Sequence, residues 1–315
     1  MFEEFPAALP RVPAAARHRE TDSVFSKIGN YLALTKPEVN VLILITTAGG
    51  FYLASLAGGA SFSALRFFST VAATLLLASG AATLNQVMER RYDALMRRTM
   101  RRPIAAGLVP AARAFVFGVV LAIGGSVWLL AAVNATAGFI GLFALGTYLL
   151  AYTPLKRRTP LCTAVGALAG AVPPLIGWFA CGGRFDAEAA TLYALLFFWQ
   201  FPHVMSIAAI YSSDYQRAGY RIIPQNGNKA RFLAVSTILP CVLLLALLAG
   251  PAIVANSVLS LVAAVLGGAF LLCGIRFAVR RTTSVARELL TASILYVPLA
   301  FVLLIAIEKY LGPAH

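Results

Sequence analysis

The chain carries nine apolar runs, each long enough to cross a bilayer, and little else from which a core could be built. They fall at roughly residues 38–58, 65–88, 112–132, 135–153, 161–181, 189–211, 232–250, 253–275 and 288–310. A helix rising 1.5 Å per residue needs about 20 apolar residues to span the hydrocarbon layer. Glycines and prolines interrupt several runs, as membrane helices tolerate. Composition agrees: the chain is 60% hydrophobic and 12% charged, with a mean hydropathy of +0.81, whereas soluble domains carry about a quarter charged residues. A soluble core has no room for this much apolar surface. The expected fold is all-α, a polytopic membrane protein of nine transmembrane helices. The boundary between the seventh and eighth runs is placed at Gly250-Pro251. Residues 1–25, Pro/Ala-rich and without a long apolar core, read as a flexible cytoplasmic tail rather than a signal peptide. Residues 26–315 form one transmembrane domain.

Charge then sets the orientation. A net charge of +14 would point to nucleic acid in a soluble protein. Here its source is the excess of Lys and Arg in cytoplasmic loops. With nine spans and the N-terminus inside, 23 of the 26 Lys and Arg residues lie in cytoplasmic segments, and only Arg66, Arg184 and Lys309 lie outside. One span more or fewer in the middle scrambles that split. The expected topology is N-terminus in and C-terminus out, with the lipid bilayer as partner and no nucleic acid. The long hydrophilic loops follow spans two, four, six and eight, so an active site opens toward the cytoplasm. Cys162, Cys181, Cys241 and Cys273 fall in or beside apolar runs without a CxxC pair; they read as small packing residues.

Chemistry concentrates at the end of the second run. After an uncharged stretch, Glu89 to Arg102 carries two carboxylates and six arginines. Asn85, Glu89 and Asp93 are spaced i, i+4, i+8, which places them on one helix face within roughly 80°. Two carboxylates and an amide oxygen make the hard, oxygen-rich surface that Mg²⁺ accepts together with substrate phosphates. The surrounding arginines suit a polyphosphate. The competing reading of this stretch alone is a solvated cytoplasmic loop.

A second constellation, WQFPHVMSIAAIYSSDYQRAGYRIIP, runs from Trp199 to Pro224. His203 lies in a membrane run, where an ionisable group is a functional candidate; the alternative is a hydrogen-bonded core histidine. If the helix continues past Pro202, then His203, Ile207, Ile210 and Asp214 share a face. Asp214 stands either as a second acidic site or as an ion-pair partner of Arg217. A third patch, YTPLKRRTP (Tyr152 to Pro160), offers Lys156, Arg157 and Arg158 to a diphosphate, or is merely a basic cytoplasmic loop. Walker-type, CxxCH and GxSxG motifs are absent from the sequence.

Two acidic motifs, each closing a membrane helix on the cytoplasmic side, resemble those of the intramembrane prenyltransferases of the UbiA superfamily. NQVMERRYDALMRRTMRRPIAAG, YTPLKRRTP and WQFPHVMSIAAIYSSDYQRAGYRIIP are similar, in order, to the three loops of its haem O synthase (protohaem IX farnesyltransferase) branch. LALTKPEVN and GAVPPLIGW fit the same branch, and the resemblance covers about residues 30–310. It implies nine helices around a central cavity, capped by cytoplasmic loops, in a bacterial-type cell (inner) membrane. It implies transfer of the farnesyl group of farnesyl diphosphate to a vinyl group of haem B, with Mg²⁺, to give haem O for haem-copper oxidases. A haem A synthase is then a further expected partner.

Carried over residue by residue, Asn85, Glu89 and Asp93 match the first metal-diphosphate motif and Asp214 the acid of the second. Glu89, Asp93 and Asp214 are the expected Mg²⁺ ligands. Arg98, Arg102, Lys156 and Arg157 match the diphosphate-binding bases, and His203 the histidine of a Pro-His pair. The chain departs from the usual N-x-x-x-D-R-D-x-D in having Glu89 for the first aspartate and Arg91 for the middle one, which leaves open how many carboxylates face the metal. Three rivals stand beside this reading: a prenyltransferase acting on a quinone-type aromatic ring, a secondary transporter, and a non-catalytic haem-binding relative. A transporter needs ionisable groups at mid-membrane, and this chain keeps nearly all of its own at the cytoplasmic ends.

Overall fold

The computed structural model describes residues 24–224 and 228–311; apart from its last two residues, the tail expected over 1–25 lies outside them. In chain order the helices are α1 (Val24–Leu34), α2 (Pro37–Leu56), α3 (Ala64–Asp93), α4 (Ala111–Val133), α5 (Ala135–Leu155), α6 (Cys162–Gly170), α7 (Pro173–Ala180), α8 (Ala187–Ile210), α9 (Ser212–Arg217), α10 (Lys229–Ala255), α11 (Ser257–Arg280) and α12 (Thr283–Leu311). Among the described residues, nine spans are long and apolar enough to cross a membrane, with α6 and α7 together forming the fifth. The expected all-α, nine-span architecture is the one observed.

Local chemistry explains the boundaries. α3 is uncharged from Phe67 to Met88, enough for about 33 Å of helix, and it runs on to carry Glu89 and Asp93 beyond the hydrocarbon. Pro173 and Pro174 break the fifth span, because a proline ring removes an N–H and disfavours helix in the residue before it. One boundary differs from expectation. α10 continues through Gly250-Pro251 to Ala255, and the break falls at Asn256. Its side-chain oxygen accepts from the Leu259 N–H at 2.8 Å, capping α11. The N-cap, not the Gly-Pro pair, ends the helix.

The spans pack in sequence, and α12 closes the set against α2. α7 sits deepest: every residue from Pro174 to Ala180 is buried. Small residues make the tight crossings, as lipid gives helices no hydrophobic drive to associate. Gly80 and Gly125 of α3 and α4 lie against the Ala122 and Leu77 backbones. α2 and α7 approach closest, where a Cβ on Gly50 would strike the Pro174 carbonyl and one on Gly177 the Thr47 carbonyl. Neither backbone can yield as a side chain would. Gly177→Ala is therefore expected to cost about 1–3 kcal/mol of overpacking strain, seen as a drop of several degrees in the detergent melting temperature. The outer faces remain apolar: Val116, Val120, Ile123 and Val127 form an exposed stripe along α4.

Candidate functional site

The site assembles where α3 emerges from the apolar belt. Asn85, Glu89 and Asp93 are all buried and share one face of α3, as their spacing requires. Arg90 and Arg91 are exposed. Arg91 stands two residues, about 200°, from Glu89. The charge reversal at that position therefore points away from the carboxylates and leaves the acidic face intact.

Each acid meets a base, one from the loop that follows α3 and one from the loop that follows α5. Lys156 Nζ donates to Glu89 Oε1 at 2.8 Å, with both side chains buried. Burial alone would push the Lys156 ammonium down, but the Glu89 carboxylate outweighs it and holds the pKa above the usual lysine value. Arg102 Nη1 donates to both oxygens of Asp93 at 2.9 Å. The Asn85 amide donates to Thr153 Oγ1 at 3.1 Å, and Thr153 in turn donates to the Tyr148 carbonyl at 2.8 Å. α5 widens into a π turn over Thr147–Tyr152 just before this contact. Pro154 follows it, with no N–H to offer the helix, and such wide turns gather at functional positions.

Loop residues lock the three motifs together. The Arg98 N–H donates to Asp214 Oδ2 at 3.1 Å, joining the first and third motifs. Asp214 also pairs with Arg217, whose Nε donates to the Leu95 carbonyl at 3.2 Å. The Arg221 N–H donates to the Lys156 carbonyl at 2.7 Å, joining the second and third. Arg98 lies over the Tyr211 ring at 5.1 Å and Arg157 over the Tyr92 ring at 4.3 Å. Arg157 Nη1 also donates to the Tyr92 hydroxyl at 2.5 Å. Tyr220 is buried beside Glu89. Burial, then Glu89, pushes this phenol far above its ordinary pKa, so it stays a donor.

His203 goes elsewhere. α8 ends at Ile210, and Asp214 belongs to the separate helix α9, so the continuous His203–Asp214 face expected from the sequence does not form. The His203 ring stacks on Trp199 at 4.6 Å, and its Nδ1 lies 2.8 Å from Ser293 Oγ on α12. Ser293 Oγ donates to the Leu290 carbonyl at 2.6 Å, so that network assigns the hydrogen to Nδ1 and leaves Nε2 as an acceptor. These contacts tie α8 to α12 rather than to the acidic face.

One residue of the site was not singled out in the sequence. Lys36 sits at φ 52°, ψ 65°, in left-handed backbone just before Pro37, a conformation that costs a non-glycine residue energy and concentrates at functional positions. Its Nζ donates to Asn85 Oδ1 at 3.4 Å. Burial, then the positive charges of Arg102 and Lys156, pushes the Lys36 ammonium down to about 7. Its only sequence signal was a lysine directly before the proline that opens the first span.

Residues 43–307 match the UbiA prenyltransferase family. The chain belongs to that family. It is 42% identical over 284 residues to a protein of Solibacter usitatus named protoheme IX farnesyltransferase, covering 88% of this chain and 97% of the relative. The fold is shared with a structure described for digeranylgeranylglyceryl phosphate synthase, with a TM-score of 0.72 at 16% identity, covering 90% of this chain and 98% of that one. It is shared also with a UbiA homologue of Archaeoglobus fulgidus described as bound to GPP and Mg²⁺, with a TM-score of 0.62 at 16% identity, covering 87% and 99%. As a UbiA-family prenyltransferase with nine spans among its described residues, the protein is a multi-pass membrane enzyme.

The oxygen donors of this UbiA site suit Mg²⁺ in kind. Among the described residues no three His, Cys, Asp or Glu side chains converge on one point: Glu89 and Asp93 share the α3 face, while Asp214 is held apart by Arg98 and Arg217. Mg²⁺ commonly takes one or two protein carboxylates and fills its octahedron with phosphate oxygens and water, which a two-carboxylate face permits.

Proposed function

We propose that this chain transfers the farnesyl group of farnesyl diphosphate to a vinyl group of haem B, with addition of water, giving haem O and diphosphate. The observation that carries the reading is the acidic α3 face, on which Glu89 pairs with Lys156 from the loop after α5 and Asp93 with Arg102 from the loop after α3. It lies in a chain 42% identical along most of its length to a protein named protoheme IX farnesyltransferase. We also place this site on the cytoplasmic side of a bacterial-type cell membrane, from the 23-to-3 division of Lys and Arg between the two sides.

The step that needs help is loss of diphosphate. Glu89 and Asp93 would hold Mg²⁺, with Asp214 left to bind the Arg98 N–H and Arg217. When bound, that ion supplies Lewis-acid neutralisation of the leaving group. Lys156 and Arg102 are held in register by their carboxylates, so they meet the charge that develops as the C–O bond breaks without reorganising. Arg98 and Arg157, fixed over Tyr211 and Tyr92, extend the cationic surface to the distal phosphate. Tyr220 adds a neutral donor. The apolar helices hold the farnesyl tail, worth about 0.8 kcal/mol per buried CH₂. They also keep water from the allylic cation until the vinyl group has attacked. The Nε2 lone pair of His203 is free to meet the haem.

The test is direct. Membranes holding the protein are incubated with haem B, farnesyl diphosphate and Mg²⁺, and extracted haems are analysed by mass. The expected product is heavier by a farnesyl group plus a hydroxyl and disappears with chelator. Unchanged haem from abundant folded protein rejects the reading, and a prenylated quinone in a parallel incubation replaces it with another acceptor.

Lys36 predicts a pH dependence. Its ammonium attracts diphosphate. With a pKa of about 7, it is charged below that pH and loses charge as pH rises through it. The KM for farnesyl diphosphate is expected to rise roughly tenfold from pH 6 to pH 8.5, the worth of one charge-assisted hydrogen bond. Lys36→Arg, charged throughout, flattens that rise. An unchanged profile in Lys36→Arg removes Lys36 from the diphosphate's contacts.

A further inference from the structure

Among the described residues, α1 presents an apolar stripe that is left exposed. Val24, Phe25, Ile28 and Leu32 are 69%, 86%, 52% and 59% exposed, and their spacing sets them along one side of the helix. The helix is anchored at its C-terminal end. The Leu34 carbonyl accepts from Gln86 Nε2 at 2.8 Å and Thr83 Oγ1 at 3.4 Å. The Tyr31 ring meets Phe117 edge-on at 5.0 Å.

Those anchors fix the depth of the C-terminal end of α1. Thr83 and Gln86 lie ten and seven residues before the end of α3 at Asp93, roughly 15 and 10 Å below it along the axis. Phe117 lies six residues into α4, roughly 9 Å from its start. α1 therefore does not ride on top of the loop cap. Its C-terminal end lies beside the outer parts of two spans, and Phe115, Val116 and Val120 of α4 are likewise exposed and apolar. A groove of about 310 Å³, lined by Val24, Lys27, Ile28, Tyr31, Leu32 and Phe117, runs between the two helices. Its lining is apolar except for Lys27, which is exposed.

We propose that α1 is an interfacial helix lying in the leaflet boundary on the active-site side, and that with α4 it seats an anionic phospholipid. One acyl chain occupies the Tyr31–Phe117 groove, and the headgroup phosphate meets Lys27. A helix with an uncovered apolar stripe beside a lipid-facing span settles about 5–10 Å into the headgroup–acyl boundary. A lysine at the mouth of an apolar groove matches a lipid in both charge and order, with phosphate outward and chain inward. This end of the molecule carries most of the Lys and Arg residues, which favour an anionic lipid over a zwitterionic one. The inference requires the membrane embedding and not the reaction proposed above.

Two measurements on the full chain test it. Phe25→Trp is reconstituted into vesicles of phosphatidylcholine and phosphatidylglycerol brominated at defined acyl positions. The added emission, taken against the parent protein, is expected to lose at least half its intensity to bromine near the headgroup and less to bromine near the chain end. No quenching beyond the parent's places α1 in water and overturns the proposal. In the second, protein extracted from the mixed membrane is weighed by native mass spectrometry. The parent is expected to retain phosphatidylglycerol over phosphatidylcholine, and Lys27→Glu and Ile28→Glu to reduce that retention at least fivefold at unchanged melting temperature. Equal retention by parent and variants, or equal retention of both lipids, overturns the site. Displacement of the retained lipid by farnesyl diphosphate makes the groove a substrate path and overturns it equally.

Discussion

Asp93→Ala is expected to abolish transfer while leaving the protein folded in the membrane. Asp93 is buried on the α3 face and holds Arg102 through both carboxylate oxygens at 2.9 Å. The substitution removes one of two carboxylates available to the metal on that face. It also frees the guanidinium that would meet the leaving diphosphate. Losing one preorganised electrostatic contact typically costs 10²–10³ in kcat. Losing two together is expected to exceed roughly 10³. The fold is spared because the Arg102 side chain is 21% exposed and can turn into water instead of remaining a buried, unpaired charge. The check is haem O formed per mole of protein, beside the detergent melting temperature. A near-normal yield removes Asp93 from the site.

Lys156→Met is expected to damage both stability and activity, and the two effects can be separated. Here both partners are buried, so the substitution strands Glu89 as an uncompensated charge, at a cost of about 3–5 kcal/mol. Glu89→Gln with Lys156→Met replaces the pair by neutral groups of similar size and is expected to recover most of the melting temperature. Transfer is not expected to return, because the ammonium that meets the diphosphate and one of the carboxylates proposed to hold the metal are both missing. Activity in the double variant close to that of the parent would show the pair to be structural only.

The contrast between these pairs shows how far the sequence could be read. The nine spans were legible because hydropathy records the solvent a segment meets, whatever it packs against. The alignment of Asn85, Glu89 and Asp93 was legible because helical periodicity is local. Arg91 was harder: the letter change looked like a reversed charge at the metal, until the helix turned it outward to solvent. The break before α11 was misplaced by a few residues because Gly-Pro is a strong local signal, whereas the cap at Asn256 set the boundary. His203 and Asp214 would share one face only if the helix ran on between them, and it ends at Ile210.

What the sequence by itself determined was the class of the protein: a nine-span membrane fold, with its acids and bases gathered at the ends of the spans on one side. Only the tertiary structure decided which base meets which acid. Lys156 reaches Glu89 across 67 residues of chain, the Arg98 N–H reaches Asp214 across 116, and His203 reaches Ser293 across 90. It also brought Lys36 to Asn85, across 49 residues. Hydropathy and helical period act over one or two turns and repeat along the chain. Pairings at such separations depend on how the helices cross and where each loop returns, and no local pattern records that.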